Sequence, residues 1–248
     1  MEWLQRTDLL IGNENLARLQ RSHVLVVGVG GVGAYAAEAL CRAGIGELTL
    51  VDADVVDDTN RNRQLLALTT TVGKPKVEVM AERLLQINPE VKLHLIHEFL
   101  RDERTLEVLQ QFPYDFVVDA IDSLSPKVFL LYHAMQLNLR VVSAMGAGGK
   151  MDPTQVQVAD ISKSYQCRLA HTVRKRLHKL GVRGGFTAVF SPEPVREGSV
   201  SVESPDAAVN KLSTVGTISY MPAVFGLVAA SVVIRGLIGE MGEVRGEK

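Results

Sequence analysis

Four glycines between residues 28 and 33 form the pattern with the clearest chemical meaning in this sequence. Gly28, Gly30, Gly31 and Gly33 follow a continuous apolar run, His23 to Val27. Glycines at this spacing let a backbone turn tightly between a strand and a helix and approach a phosphate group closely. They therefore predict a phosphate-binding loop at the start of a helix. A turn that needs glycine only for close packing is the alternative.

Two carboxylates at the end of the next predicted strand indicate that the expected ligand also contains a sugar. Asp52 ends the strand that begins at Glu47, and Asp54 follows two residues later. A carboxylate at this place can accept hydrogen bonds from ribose hydroxyls. The loop and the acidic strand end together indicate a nucleotide, and alone they would favour NAD.

A short polar segment after these carboxylates favours a triphosphate instead. It contains Asn60, Arg63 and Gln64, and Lys76 follows in the first turn of a predicted helix. The helix dipole disfavours a cation there by about 0.3–1 kcal/mol, so a bound anion would relieve the conflict. Arginine also pairs well with phosphate oxygens, and a triphosphate needs more positive charge than a diphosphate. The alternative is a solvated loop with scattered cations.

One more acidic residue follows the predicted strand Asp115 to Asp119. Asp122 would lie at the end of a parallel strand, where such sheets bind ligands, and could hold a Mg²⁺ ion that bridges phosphates. The alternative is that Asp122, Ser123 or Ser125 only caps the helix that Pro126 opens.

Short apolar runs alternate with amphipathic segments, which indicates an α/β fold of the Rossmann-like type. We expect a mostly parallel sheet with helices on both faces. After Gly149 the pattern becomes a mixed α/β half that ends in an apolar helix from Pro222. The prediction is a single domain over residues 1–248. Residues 1–149 would form its nucleotide-binding half, and residues 150–248 its substrate-side half with a crossover loop at about 191–210.

The formal net charge of −1 conceals a strongly basic segment. Residues 161–192 contain seven lysines and arginines and no acidic residue, so a segment of +7 sits on a remainder of −8. Part of this segment is an amphipathic helix whose basic side could hold nucleic-acid phosphates. The alternative is a solvated face, or one that pairs with the acidic remainder. The candidate contacts are Arg168, Arg174, Lys175, Arg176, Lys179 and Arg183.

Cysteine and apolar content set the expected compartment. Cys41 and Cys167 are the two cysteines, so a cytoplasmic protein without disulfides is expected, and no zinc. We expect Cys41 in the core and Cys167 partly exposed. The apolar stretch Met221 to Ile234 is shorter than the roughly 20 residues that span a bilayer. A buried helix is therefore favoured, and membrane association is not expected.

Taken in order, these motifs resemble those of the ThiF/MoeB/HesA adenylyltransferases, relatives of the ubiquitin-activating enzymes. Besides the glycine loop and the Asp52-x-Asp54 strand end, the matching elements are Asn60-x-x-Arg63-Gln64, Gly73-Lys-Pro75-Lys76, Ile87-Asn88-Pro89 and Asp119-x-x-Asp122. The resemblance implies an enzyme that uses ATP and Mg²⁺ to adenylate a carboxylate.

The same resemblance implies a role for individual residues. Gly31 would lie at the nucleotide and Asp52 at the ribose. Asp122 would hold Mg²⁺ or support the reacting α-phosphate. Arg6 would reach the ATP of the neighbouring subunit in a homodimer. Phosphate contacts would come from Asn60, Arg63 and Lys76, and the remaining ATP-site residues would be Gly28, Gly30, Gly33, Asp54, Gln64 and Ser123.

Three later segments resemble one branch of that family, whose members dehydrate threonylcarbamoyladenosine in tRNA. They are Gly146 to Thr154, Val173 to Leu177 and Gly216 to Pro222. This branch implies tRNA as the partner. The alternatives are activation of a ubiquitin-like sulfur-carrier protein at its C-terminal glycine, and a nucleotide-binding module without catalysis. The paired cysteines of the sulfur-carrier activators are absent, which disfavours the first, although a sulfur-metabolism partner stays open.

Overall fold

One seven-stranded sheet organises the protein in a computed structural model that describes residues 2–201 and 214–240. In chain order the strands are β1 (His23–Val27), β2 (Glu47–Val51), β3 (Lys92–Ile96), β4 (Phe116–Asp119), β5 (Val141–Ala144), β6 (Gln157–Asp160) and β7 (Thr187–Phe190). Across the sheet the order is β3-β2-β1-β4-β5-β7-β6. Neighbouring strands run parallel except β6 and β7, which are antiparallel.

Helices connect these strands and cover both faces of the sheet. They are α1 (Gln5–Ile11), α2 (Asn13–Arg21), α3 (Gly33–Arg42), α4 (Lys76–Ile87), α5 (Asp102–Gln110), α6 (Leu124–Gln136), α7 (Arg168–Lys179) and α8 (Tyr220–Leu237). A separate two-stranded sheet pairs β8 (Val200–Ser201) with β9 (Thr214–Val215). The predicted α/β class with a mostly parallel sheet is confirmed.

Strand β1 shows why helices are needed on both sides. Because side chains alternate along a strand, Val24 and Val26 enter one core cluster, which contains residues of α3, α4 and α8. Leu25 and Val27 enter the other, with residues of α5, α6 and α7. A strand buried on both faces therefore reads as a continuous apolar run.

Helix α8 belongs to the core. Within the described residues it is the one helix long and apolar enough to cross a membrane by length and composition, yet 56% of that stretch is buried inside the protein. A Cβ on its Gly226 would overlap the carbonyl oxygen of Val32, just before α3. This close packing against α3 agrees with the predicted buried helix.

Both cysteines are buried, and this corrects one expectation. Cys41 is fully enclosed, and burial raises the pKa of its thiol to about 11. Cys167 was expected to be partly exposed, but it is only 6% exposed. It directly precedes α7 and enters the same buried cluster as Ala170 and Val173, so it faces the core.

Several element boundaries differ from the sequence prediction. Helix α6 begins at Leu124, two residues before Pro126, which was expected to open it. Amphipathic spacing alone predicts Leu85 and Leu180 on the buried faces of two helices, but they are 44% and 40% exposed. The predicted crossover loop contains β8, and its residues 202–210 lie outside the described part of the chain.

A buried ion pair fixes the carboxyl end of β4. Asp119 and Lys127 are both 0% exposed, and the Lys127 Nζ lies 2.7 Å from Asp119 Oδ2. The Ser143 hydroxyl on β5 also donates to that oxygen, and Lys127 donates to the Ile121 carbonyl at 2.9 Å. The pair thereby ties β4, β5 and α6 to the short loop that contains Ile121.

Replacing Lys127 with methionine is expected to destabilise the fold strongly. The substitution would leave the Asp119 carboxylate buried without a counter-charge, which costs about 3–5 kcal/mol in unfolding free energy. Urea unfolding measures this loss. Adding Asp119→Asn to Lys127→Met removes both charges and should recover most of the stability. If the double variant were no more stable than Lys127→Met, the ion pair would not be the source of the effect.

Candidate active site

The glycine loop runs from the carboxyl end of β1 into the first turn of α3. Gly28 has a φ of +89°, and a Cβ there would come within 2.8 Å of the Ala120 carbonyl oxygen. A Cβ on Gly33 would overlap the Gly28 carbonyl oxygen. Glycine is therefore required at both positions by the approach of neighbouring backbone. The Ala34 N–H in this turn donates to the Gly30 carbonyl at 3.2 Å, and the N-terminus of α3 suits an anion through its dipole.

Asp52 links the glycine loop to the end of β2. Its Oδ2 accepts a hydrogen bond from the Val29 N–H at 2.6 Å, and its Oδ1 accepts one from the Asp54 N–H at 2.9 Å. Burial raises the pKa of the Asp52 carboxyl, while the nearby charge of Lys76 acts in the opposite direction. The carboxylate keeps lone pairs for further donors, as the predicted ribose contact requires.

Lys76 is the most enclosed cation among the predicted phosphate contacts. It is the first residue of α4 and only 4% exposed, and its Nζ forms an ion pair with Asp54 Oδ2 at 2.6 Å. Asp54 itself is 69% exposed at its side chain. The structure thus places a buried ammonium group at a helix N-terminus, next to the carboxyl end of β2.

The polar segment after β2 packs over the glycine loop. A Cβ built on Gly31 would lie 3.6 Å from the Cγ of Arg63, and one on Gly30 would lie 3.6 Å from the Gln64 Nε2. Gln64 is 9% exposed, and within the described residues its Oε1 has no hydrogen-bond partner. Such a buried acceptor is costly unless something donates to it, so it points toward a ligand.

Asn60 and Arg63 each use part of their polar groups within this segment. The Asn60 Oδ1 accepts from the Asp57 N–H at 3.1 Å in a capping box, so its NH₂ group is what remains to donate. The Arg63 Nη1 donates to the Thr59 carbonyl and to the Asn62 side chain. The segment is therefore held in shape by its own hydrogen bonds.

Asp122 is exposed at the carboxyl edge of the sheet, in the loop after β4. Its Oδ1 accepts a hydrogen bond from the Ser123 hydroxyl at 3.3 Å. Ser123 occupies the N-cap position of α6 but makes no side-chain capping hydrogen bond. The Ser123 side chain therefore does not cap α6.

Arg6 lies on α1 and is exposed, at a distance in sequence from all other predicted site residues. Trp3, Leu9 and Leu10 on the same N-terminal segment are 42%, 81% and 84% exposed.

The basic helix α7 divides its cations between structural and exposed positions. The Arg174 guanidinium is partly buried and donates to the Ser164 carbonyl at 2.7 Å, so it holds the preceding turn. Arg176 reaches across to the Ser125 hydroxyl on α6 at 3.0 Å. The exposed cations of the segment are Lys163, Arg168, Lys175, Arg176, Lys179 and Arg183.

The segment from Gly216 to Pro222 completes the site, and sequence motifs alone did not place it there. The Asn62 Nδ2 donates to the Thr217 carbonyl at 3.0 Å, and Pro222 Cβ would lie 3.1 Å from a Cβ on Gly31. A cavity of about 220 Å³ adjoins this segment, lined by Gly149, Lys150, Met151, Arg196, Ser199, Gly216, Thr217 and Ile218.

Two buried lysines near the site were not among the predicted site residues. Lys127 supports the loop after β4, as described above. Lys150 is 3% exposed and donates to the carbonyls of Ser191 and Glu193 at 2.9 and 2.5 Å, and burial lowers its pKa. A lone lysine in a helix or a glycine-rich loop usually indicates a solvated side chain, so only tertiary structure identifies both.

The comparisons with known proteins agree with this arrangement. The sequence model described as "ThiF family" matches residues 4–247. The chain belongs to the ThiF family. A tRNA threonylcarbamoyladenosine dehydratase of Bacillus subtilis is 40% identical over 241 residues, covering 95% of this chain and 94% of the relative.

Solved structures of a ThiF-type relative share the fold. Crystal structures of E. coli tRNA threonylcarbamoyladenosine dehydratase in complex with ATP and with AMP align with TM-scores of 0.87 and 0.86. Their sequence identities to this chain are 37% and 38%. The alignments cover 96% of this chain, and 95% and 96% of those chains. These similarities support the use of ATP.

Substituting Gly28 with alanine is expected to weaken ATP binding at least about tenfold, since the added Cβ would push the phosphate loop away from the Ala120 carbonyl. Gly181→Ala is a matched control, because Gly181 also has a positive φ (+84°) but has nothing within 4 Å of its added Cβ. Calorimetric titration with ATP compares the two variants. Equal ATP affinity in both would contradict the assigned role of the loop.

Proposed function

We propose that this protein is an ATP-dependent dehydratase that acts on threonylcarbamoyladenosine in tRNA. The observation that carries the proposal is the convergence of Lys76, Asp52 and the buried Gln64 Oε1 around the glycine loop. That set fits a nucleoside triphosphate better than a dinucleotide, since it adds a buried cation at a helix N-terminus. The similarity to ThiF-type dehydratases over nearly the whole chain supports the choice of substrate.

The reaction proceeds in two steps and forms no covalent intermediate with the enzyme. A threonyl carboxylate oxygen attacks the α-phosphate of ATP, and pyrophosphate leaves. The carbamoyl group of the same nucleoside then attacks the acyl adenylate, closes a ring and releases AMP. The net change in the base is the loss of one water. Because attack is intramolecular, no protein nucleophile is needed, which suits a chain whose two cysteines are both buried.

The cationic groups of the site stabilise charge that develops on the phosphates. Lys76 is held by Asp54 and shielded from solvent, so its ammonium group is positioned before the nucleotide binds. Arg63 packs beside Gly31 and can add hydrogen bonds to phosphate oxygens. The Asn60 NH₂ group lies in the same segment and supplies a neutral donor.

A Mg²⁺ ion fits the residues at the carboxyl end of β4. Asp122 is an exposed carboxylate there, and oxygen ligands of this kind are those that Mg²⁺ prefers. When bound, the ion would neutralise phosphate charge and orient the triphosphate. The chain's own contribution is to keep Asp122 beside the site through the Asp119–Lys127 pair and the Ser123 hydroxyl.

The exposed side of α7 is the proposed tRNA contact. Arg176 touches Ser125 near the start of α6, so this basic surface lies on the side of the molecule that carries the loop of Asp122. Arg168, Arg174, Lys175, Lys179 and Arg183 belong to the same segment, but Arg174 has a structural role as well. The cavity beside Thr217 and Arg196 offers space for the modified nucleoside, and Thr217 connects it to the polar segment after β2 through the hydrogen bond from Asn62.

The same proposal includes a homodimeric assembly and a cytoplasmic location. A homodimer would bring Arg6 to the ATP of the other subunit, and the exposed Leu9 and Leu10 on α1 supply apolar surface for such a contact. Two unpaired, buried thiols suit a reducing cytoplasm.

The reaction is tested with purified protein, ATP, Mg²⁺ and tRNA that carries the modification. AMP and pyrophosphate should appear, and nucleoside mass spectrometry should show a base lighter by one water. Lys76→Met should lower the rate by roughly 100-fold or more, as loss of one preorganised charge-stabilising donor does. Lys74→Met, an exposed lysine two residues away, is the matched control and should keep the wild-type rate.

Two results would refute the proposal. One is a tRNA nucleoside of unchanged mass while ATP and pyrophosphate still exchange. The other is adenylation of the C-terminal glycine of a ubiquitin-like carrier protein with no effect on tRNA. The second result would support the sulfur-carrier alternative instead.

Neutralising two exposed lysines of α7 should weaken tRNA binding without affecting ATP. Each lost phosphate contact should reduce the slope of log affinity against log salt by about 1, so Lys175→Ala with Lys179→Ala should lower it by about 2. Arg101→Ala with Arg104→Ala, at the residue before α5 and within its first turn, removes two positive charges outside α7 and is the control. Filter binding over a salt series measures both. Identical slopes for the two double variants would exclude α7 as the tRNA contact.

A further inference from the structure

Two histidines and a glutamate meet at the opposite end of the sheet from the glycine loop. His23 is the first residue of β1, Glu47 is the first residue of β2, and His94 lies in β3. Parallel register sets His23 opposite Glu47 and His94 opposite Thr49. The group lies near the amino ends of the strands, whereas Asp52 follows the carboxyl end of β2. At about 3.3 Å per residue, Glu47 and Asp52 are roughly 16 Å apart along the chain.

One potential ligand atom from each of these three side chains lies within 4.8 Å of the other two. His23 Nδ1 is 3.5 Å from Glu47 Oε1, and His94 Nε2 is 2.7 Å from the same oxygen. No other group of this kind was found in residues 2–201 and 214–240. Two imidazole nitrogens and one carboxylate oxygen form a donor set that zinc uses in proteins.

The surroundings orient the rings in the way that metal-binding histidines are usually oriented. His23 Nε2 is hydrogen-bonded to the Thr49 hydroxyl at 2.8 Å, which leaves Nδ1 facing Glu47. A partner on the second ring nitrogen is the common support of a ligating histidine. Phe112 packs on the His94 ring with centroids 4.3 Å apart, and Tyr114 meets the His23 ring at 4.8 Å.

Accessibility also suits an ion that enters from solvent. The His94 and Glu47 side chains are 33% and 27% exposed, whereas that of His23 is 7% exposed. Water could therefore take the fourth position. The 2.7 Å contact of Glu47 with His94 is shorter than the separation of two ligands around a tetrahedral zinc ion, so the partly exposed carboxylate must move by roughly 0.6 Å.

We infer that His23, Glu47 and His94 form a binding site for one zinc ion that joins the amino ends of β1, β2 and β3. This zinc site is independent of the proposed dehydratase activity, since it lies at the amino ends of the strands and the ATP site lies at their carboxyl ends. The expectation of no zinc rested on the absence of paired cysteines from the sequence. The histidines are 71 residues apart, so only the strand register brings them together.

The test uses the full chain without a histidine tag, stripped of metal by a chelator and titrated with zinc chloride against a chromophoric competitor. We expect one zinc ion per chain. His94→Asn and Glu47→Gln should each weaken zinc binding by at least roughly 100-fold, because losing a direct ligand should cost no less than losing a residue that supports one. His178→Gln, which changes an exposed histidine on α7, is the control and should bind as the wild type does.

Thermal unfolding gives a second readout that does not depend on activity. Zinc at about a hundredfold excess over its wild-type Kd should raise the wild-type midpoint by roughly 5–10 °C, and should raise that of His94→Asn by no more than about 1 °C. ATP binding by both variants verifies that they are folded. Equal zinc affinity in wild type and His94→Asn, or no zinc bound by the wild type, would overturn the assignment.

Discussion

The whole site depends on how closely the backbone leaving β1 passes the backbone leaving β4. No Cβ fits between Gly28 and the Ala120 carbonyl, or between Gly33 and the Gly28 carbonyl. This approach turns β1 directly into α3 and brings the end of β4 beside the same turn. The N–H groups of α3, the carboxylate of Asp52 and the loop of Asp122 are consequently neighbours. The buried Asp119–Lys127 pair fixes the loop after β4 in this position, since Lys127 also donates to the Ile121 carbonyl.

Charge is then added to a scaffold that is already fixed. Lys76 stands at the N-terminus of α4, where the helix dipole disfavours a cation, and it is nearly excluded from water. Asp54 offsets part of that cost, and a triphosphate would offset the rest. The same arrangement explains the raised pKa of Asp52, whose burial outweighs the influence of Lys76. The site therefore favours a strongly anionic ligand, such as a triphosphate.

Much of this followed from the sequence because its signals are local. A continuous apolar run, a glycine spacing and a polar strand end each report on a few adjacent residues, and β1, β2, β4 and α3 lie where they were predicted. Residues whose role depends on distant partners were missed. Lys127 and Lys150 look like surface lysines, and Cys167 looked exposed beside a basic helix. By sequence, Arg174 is equivalent to the other cations of the basic segment, and only its contact with Ser164 distinguishes it.

The central claim is that a substrate carboxylate is activated by transfer of AMP from ATP. It is tested most directly by labelling both carboxylate oxygens of the threonylcarbamoyl group in tRNA with a heavy oxygen isotope. The mass of the released AMP is then measured by mass spectrometry. If the carboxylate attacks the α-phosphate and the ring then closes, each AMP molecule should carry one labelled oxygen. Unlabelled AMP formed together with the dehydrated nucleoside would contradict the account.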